Sequence, residues 1–184
     1  MSRLIHMLKH EHRVIEKGLR ALDGMCLNLK IGNSVPPEAL SELLDFIQNF
    51  ADRFHHAREE SFLFPALREL GFDEDSGALW FLKEEHGIER NLLAELEIAI
   101  DEYGDGDSSA ITRFVECATK FRDHLLAHMQ KEEGFLFRLA DEVLDETDVD
   151  TLAQSMIRAD LENNQEIIVK YELQAEELEK AWAI

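Results

Sequence analysis

The chain has 184 residues, enough for one domain with a substantial core and too few for two comfortable ones. Asp and Glu number 39 against 19 Lys and Arg, a formal charge of −20 that repels phosphate backbones and anionic lipid and so excludes nucleic acid as a partner. With 45% hydrophobic and 32% charged residues, and no apolar run near the roughly 18 residues a bilayer requires, neither a disordered chain nor a membrane protein is expected.

Apolar residues at helical spacing predict five helices, over roughly 2–30, 37–70, 76–103, 108–145 and 147–182. The first begins Met1-Ser-Arg-Leu-Ile-His6, which meets charge at once and carries no apolar leader, so a cytoplasmic location is expected. Gly32-Asn33-Ser34 stops it, and Pro36-Pro37 starts the second helix, since proline is tolerated in a first turn. Pro65 lies inside the second helix and should bend it or end it locally by freeing the Ser61 carbonyl. Gly71, Gly77 and the tract Gly104 to Ser109 mark the next junctions; Asp105-Gly106-Asp107 lacks the other oxygen donors of a calcium loop and reads as an acidic connection. Thr147 or Asp148 could cap the fifth helix.

Four long helices on short connections predict an all-α, antiparallel up-down four-helix bundle over residues 1–146. Residues 147–184 form an additional C-terminal helix. Its stripe of Leu152, Met156, Ala159, Ile167, Tyr171, Leu178 and Trp182 could pack on the bundle or on a second subunit, which would make a homodimer. Cys26 and Cys117 stand far apart without a C-x-x-C pairing and read as reduced core residues.

The chain repeats itself. Leu8-Lys-His-Glu-His12 matches Leu82-Lys-Glu-Glu-His86 at four of five positions, 74 residues on. His55-His-Ala-Arg-Glu-Glu-Ser-Phe-Leu-Phe64 matches His128-Met-Gln-Lys-Glu-Glu-Gly-Phe-Leu-Phe137 at six of ten, 73 residues on. Two similar helical hairpins are implied, and they share histidine and glutamate.

These polar residues fall on the apolar faces. The first helix runs Ile5, Leu8, His12, Ile15, Leu19, Leu22; the second Leu44, Ile47, Ala51, His55, Glu59, Phe62, Ala66. The third runs Leu79, Leu82, His86, Leu93, Leu96, Ile100; the fourth Phe114, Ala118, Phe121, Leu125, His128, Glu132, Phe135, Leu139. Six inward polar groups would each cost several kcal/mol without a shared compensation, and metal ions supply it. Each H-x-x-x-E pair spans one helical turn, so both side chains can reach one ion. Four imidazoles and two carboxylates suit two ions of iron, zinc or manganese. His56 with Glu60 also reads H-x-x-x-E, but the second copy has Met129 and Glu133 there, which selects His55 and Glu59.

The pattern His12, His55-x-x-x-Glu59, His86, His128-x-x-x-Glu132, with the stretches HHAREESFLFPAL and HMQKEEGFLF, resembles the hemerythrin-like (HHE cation-binding) family over about residues 4–145. The resemblance implies a four-helix bundle holding two non-haem Fe ions as an oxo- or hydroxo-bridged di-iron centre. Histidines would be its terminal ligands and the two glutamates its bridges. It further implies a small ligand: dioxygen, peroxide or nitric oxide. Ferritin-like proteins would instead need Glu-x-x-His, and no histidine here has a glutamate three residues before it. Oxygen-carrying hemerythrins have a fifth histidine one turn from the third-helix ligand, where this chain has Leu82 and Arg90. His124, or more remotely His10, is the candidate substitute. A missing ligand leaves an open position, which makes peroxide breakdown, nitric-oxide chemistry or sensing readings alongside oxygen binding, with iron handling or iron-centre repair as the alternative. Phe62, Phe64, Phe135 and Phe137 could shield the metals from water but read first as ordinary core, and Glu16 and Glu89 could support the histidines but read first as exposed charges.

Overall fold

The computed structural model describes residues 1–73, 75–104, 109–162 and 166–184, the side chains at 162, 166 and 167 excepted. The Asp105-Gly106-Asp107 tract and the Ile167 side chain of the sequence reading therefore lie outside the described residues. The described residues contain helices and no strand.

Helix α1 (Arg3–Lys30) starts where the Ser2 hydroxyl accepts the Ile5 N–H at 3.4 Å, and stops at Gly32, whose φ of 85° suits a residue without a Cβ. The second bundle helix is a composite. It comprises α2 (Pro37–Phe46), two stretches with wider i→i−5 turns, π1 (Ile47–His56) and π2 (Glu59–Leu63), and α3 (Phe64–Glu69). Helix α4 (Gly77–Gly104) follows, then α5 (Ala110–Lys131), which runs through π3 (Glu132–Leu136) into α6 (Phe137–Val143). The four runs pack antiparallel in an up-down bundle. His12 faces His55, Arg90 meets Asp52, and Glu102 meets Arg113.

The wide turns shift the buried face. The sequence pattern places Phe62, Ala66, Phe135 and Leu139 inward; instead Leu63, Leu67, Leu136 and Ala140 are fully buried, while Phe135 is 47% exposed. Each of π2 and π3 inserts one residue into the helical repeat, so every inward position after Glu59 and after Glu132 moves by one. Pro65 sits in the first turn of α3, directly after π2, where its missing N–H is tolerated. The wide turn thus takes the place of the expected break.

The C-terminal segment holds two helices where one was expected: α7 (Glu146–Glu162) and α8 (Glu166–Trp182). Helix α7 is capped by Asp145 rather than by Thr147 or Asp148. Asp145 accepts the Asp148 N–H at 2.9 Å, and Asp148 returns the contact to the Asp145 N–H at 3.3 Å. Helix α8 runs parallel to α1 through the pairs His10–Glu172, Lys17–Glu176 and Arg20–Glu179. A Cβ on Gly24 would stand 1.7 Å from the Trp182 carbonyl oxygen, so glycine is what lets the end of α8 close on α1.

The core divides in two. Leu19, Phe46, Phe50, Phe114 and Phe121 fill one end, and Leu4, Leu8, Leu63, Phe64, Leu136, Phe137 and Met156 fill the other. A polar layer separates them. Cys26 and Cys117 are buried and free, and no helix among the described residues is long and apolar enough to cross a membrane.

Candidate metal centre

The six residues named from the sequence meet in that polar layer. His12, His55, Glu59, His86, His128 and Glu132 are each 0% exposed. They form two overlapping groups, His12, His55, Glu59, Glu132 and Glu59, His86, His128, Glu132, in each of which one ring nitrogen or carboxylate oxygen per residue lies within 4.8 Å of the others. His12 Nε2 lies 3.0 Å from His55 Nε2, and His86 Nε2 lies 3.0 Å from His128 Nε2. Two nitrogens each about 2.1 Å from one ion and at right angles to it stand about 3 Å apart.

The carboxylates divide between the pairs. Glu132 turns Oε2 to His12 at 3.1 Å and Oε1 to His128 at 2.7 Å. Glu59 turns Oε1 to His55 at 3.9 Å and Oε2 to His86 at 3.4 Å. Both Glu59 oxygens and Glu132 Oε1 are buried without a hydrogen bond. Carboxylate oxygens left so among imidazole nitrogens fit cations: neutral burial would leave them costly and unpaired.

Behind each imidazole stands another carboxylate, unnoticed in the sequence reading. His12 Nδ1 meets Glu133 at 3.1 Å, His55 Nδ1 meets Glu11 at 2.8 Å, His86 Nδ1 meets Glu60 at 2.7 Å, and His128 Nδ1 meets Glu85 at 3.0 Å. Each is held in turn by a cation: Glu133 by Arg13, Glu11 by Arg58, Glu60 by Arg90 and Glu85 by Lys131. Donation of Nδ1–H outward leaves the Nε2 lone pair facing inward at all four histidines, the tautomer a metal ligand needs. The signal was in the repeat: Glu11 aligns with Glu85, and Glu60 with Glu133.

Aromatic rings close the layer on the α3 and α6 side. Phe137 stacks on His12 at 5.1 Å and Phe64 on His86 at 5.8 Å, which favours the shielding reading for these two over that of ordinary core. His10 is on the surface with Glu172, and His124 contacts Glu89 at 3.6 Å; neither joins the two groups. His56 stacks on His86 at 4.1 Å, and Glu60 lies outside the pair it was weighed against. Glu89, expected to be exposed, is 2% exposed, because α4 turns it toward His56 and away from water.

Electrostatics show what the cluster does without a cation. Burial lowers the His86 pKa, but the surrounding carboxylates of Glu132, Glu59 and Glu60 win and push it up to about 12; burial likewise opposes His128, which Glu132 and Glu85 push up to about 10. Burial would raise Glu132, yet His128, His12 and His86 hold it well below the usual carboxylate range. Burial and the charge of Glu132 push Glu59 up. Protons thus hold the metal-free cluster together, and a cation must displace them, so affinity rises with pH.

Glu60 gives a second pH dependence. Burial opposes its ionisation, but His86 and Arg90 lower it from 4.5 to about 2. A depressed carboxylate contributes stability that is present above pH 4.5 and lost as pH falls toward 2. Denaturation midpoints of the metal-free protein are expected to fall across that window, and less steeply in Glu60→Gln; identical slopes would contradict the pairing.

No curated protein and no solved structure matches the chain. Residues 3–140 match the hemerythrin HHE cation binding domain, a span that takes in all six clustered residues and ends before α7 and α8. A bundle of this topology, with a His/Glu cluster able to hold metal at its centre and that match over most of its length, belongs to the hemerythrin HHE cation-binding family.

Proposed function

We propose that the protein carries two non-haem iron ions at this centre and binds dioxygen, peroxide or nitric oxide there. The observation that carries the reading is the division of each glutamate, one oxygen toward His12 and His55 and the other toward His86 and His128. His12 and His55 would hold one ion, His86 and His128 the other, and Glu59 and Glu132 would be shared as bridges. Iron so bound supplies a redox-active centre with positions open to a small ligand.

The chain's own contribution is orientation and exclusion. The four outer carboxylates fix Nε2 inward, and Phe64 and Phe137 keep bulk water off His86 and His12. Two imidazoles and two shared carboxylates give each ion four protein donors, short of the six of an octahedral site, which leaves room for an exchangeable ligand. The acidic balance and two free cysteines suit a cytoplasmic protein.

One contact favours sensing as a second reading. Arg58 bonds both Glu11, which holds His55, and Asp160 of α7, so the C-terminal segment is tied to one histidine pair by an unbroken chain of side chains.

Protein from iron-supplemented cells, reduced without air and then exposed in turn to dioxygen, hydrogen peroxide and nitric oxide, tests the function. Visible charge-transfer bands are expected to bleach on reduction and to return or shift with at least one of the three. Bound zinc with a featureless spectrum would contradict it and favour metal handling.

A further inference from the structure

We propose that the cavity between the second bundle helix and the C-terminal segment binds a small apolar monocarboxylate, at a site distinct from the metal centre.

The wide turns build one wall. Where a helix widens to i→i−5 turns, residues four and five apart keep to one face instead of drifting round the axis. Along π1 and π2 that face carries Arg53, Ala57 and Ser61 at every fourth place, with Phe54, Arg58 and Phe62 beside them. Ala159 and Asp160 of α7 and Ile168 and Tyr171 of α8 stand opposite, and the walls enclose about 520 Å³. Small-molecule sites run to about 300–1,000 Å³ and set a few polar groups in an apolar lining. Phe54, Phe62, Ile168 and the ring of Tyr171 supply that lining, and the Tyr171 hydroxyl is turned to Asp45 at 3.2 Å. None of the six residues of the metal centre lines the cavity.

The polar groups select an anion. The chain has 39 acidic residues against 19 basic ones, yet this lining has Arg53 and Arg58 against Asp160 alone. Arg58 is 6% exposed, and its two terminal nitrogens are taken by Glu11 and Asp160. Its Nε–H is buried without an acceptor, a cost that an occupant with a free oxygen removes. Glu11 and Asp160 meet the charge of Arg58, so the attraction comes from Arg53. That side chain is exposed, donates to Asn49 Oδ1 at 3.1 Å, and has no ion pair among the described residues. A carboxylate satisfies both guanidinium groups, with its apolar body laid on Phe54 and Phe62. A neutral acceptor would leave Arg53 unmet, and a cation would face two guanidinium groups.

The repeat shows the site to be an addition. Lys131, the counterpart of Arg58, holds Glu85 as Arg58 holds Glu11, but its side chain is 44% exposed. The counterpart of Phe62 is Phe135, 47% exposed, and that of Arg53 is Leu126. On the first copy Asp160 of α7 meets Arg58, and Tyr171 of α8 meets Asp45. Both helices lie beyond residues 3–140, so the second wall comes from outside the family domain.

Calorimetric titration of the metal-loaded protein tests the proposal, with 2-naphthoate and octanoate as the acids and 2-naphthol and octan-1-ol as their uncharged counterparts. At least one acid is expected to bind, one molecule per chain, about tenfold or more tighter than its alcohol. The tighter acid tells an aromatic acid from a fatty acid. Arg53→Gln is expected to weaken that acid about tenfold and to leave the alcohol within about twofold. Ala159→Leu, which fills the cavity from α7, is expected to abolish binding, and Arg53→Gln on the exposed rim keeps the test alive should that variant misfold. Binding of neither acid at millimolar concentration, or equal affinity for acid and alcohol, would overturn the proposal. So would an affinity that Arg53→Gln leaves unchanged, since an acid held by the metal ions would keep its affinity there and shift the visible bands. Zinc-loaded protein is expected to bind the acid equally well, so the site stands or falls apart from the iron reading.

Discussion

Replacing Glu59 and Glu132 together with alanine is expected to take bound iron from two ions per chain to none. The two carboxylates are the only acidic groups shared by both four-residue groupings, so their loss leaves each ion two imidazoles and no bridge. Glu132 matters doubly. In metal-free protein it stands in ion-pair contact with His12 at 3.1 Å and His128 at 2.7 Å inside a layer with 0% exposure. Removing one partner of a buried ionic set strands the others, so Glu132→Ala alone is expected to destabilise the metal-free fold by about 3–5 kcal/mol. Chemical denaturation and elemental analysis check both parts. Retention of two ions in the double variant would remove the glutamates from the site.

Glu11→Gln and Glu85→Gln are expected to lower metal affinity by about 10–100-fold each while leaving all six central residues in place. The cause is loss of the negative partner that fixes the Nδ1–H tautomer of His55 and of His128. The two substitutions occupy equivalent places in the repeat, so their effects should be similar in size. Glu176→Gln, on a surface carboxylate paired with Lys17, is the control and should leave metal affinity unchanged. Competition against a chromophoric chelator measures all three, and a Glu11→Gln affinity equal to that of the control would show that the outer carboxylates are ornamental.

Much of this was legible before any coordinates. Periodicity located α1, α4 and the run from α5 through π3 to α6 to within two residues, because an inward histidine breaks an apolar stripe without breaking its period. The repeat selected His55 and Glu59 over His56 and Glu60, and the structure puts the first pair in the centre and the second beside it. Where the reading failed, the cause was local. It assumed 3.6 residues per turn, and the wide turns π2 and π3 moved Leu63 and Leu136 into places assigned to Phe62 and Phe135. Glu11, Glu60, Glu85 and Glu133 resemble surface charges in a chain already rich in them, and only the packing of a neighbouring helix gives each its histidine. Glu89 failed for the same reason.

The central claim is a pair of ions sharing two carboxylates, and the most direct measurement is a low-temperature Mössbauer spectrum of protein loaded with ⁵⁷Fe and oxidised in air. The arrangement of Glu59 and Glu132 between the two histidine pairs predicts two irons per chain that couple to a diamagnetic ground state, seen as quadrupole doublets that an applied field splits no further than the nuclear interaction requires. Magnetically split spectra of isolated high-spin ferric ions, at one iron per chain, would contradict it.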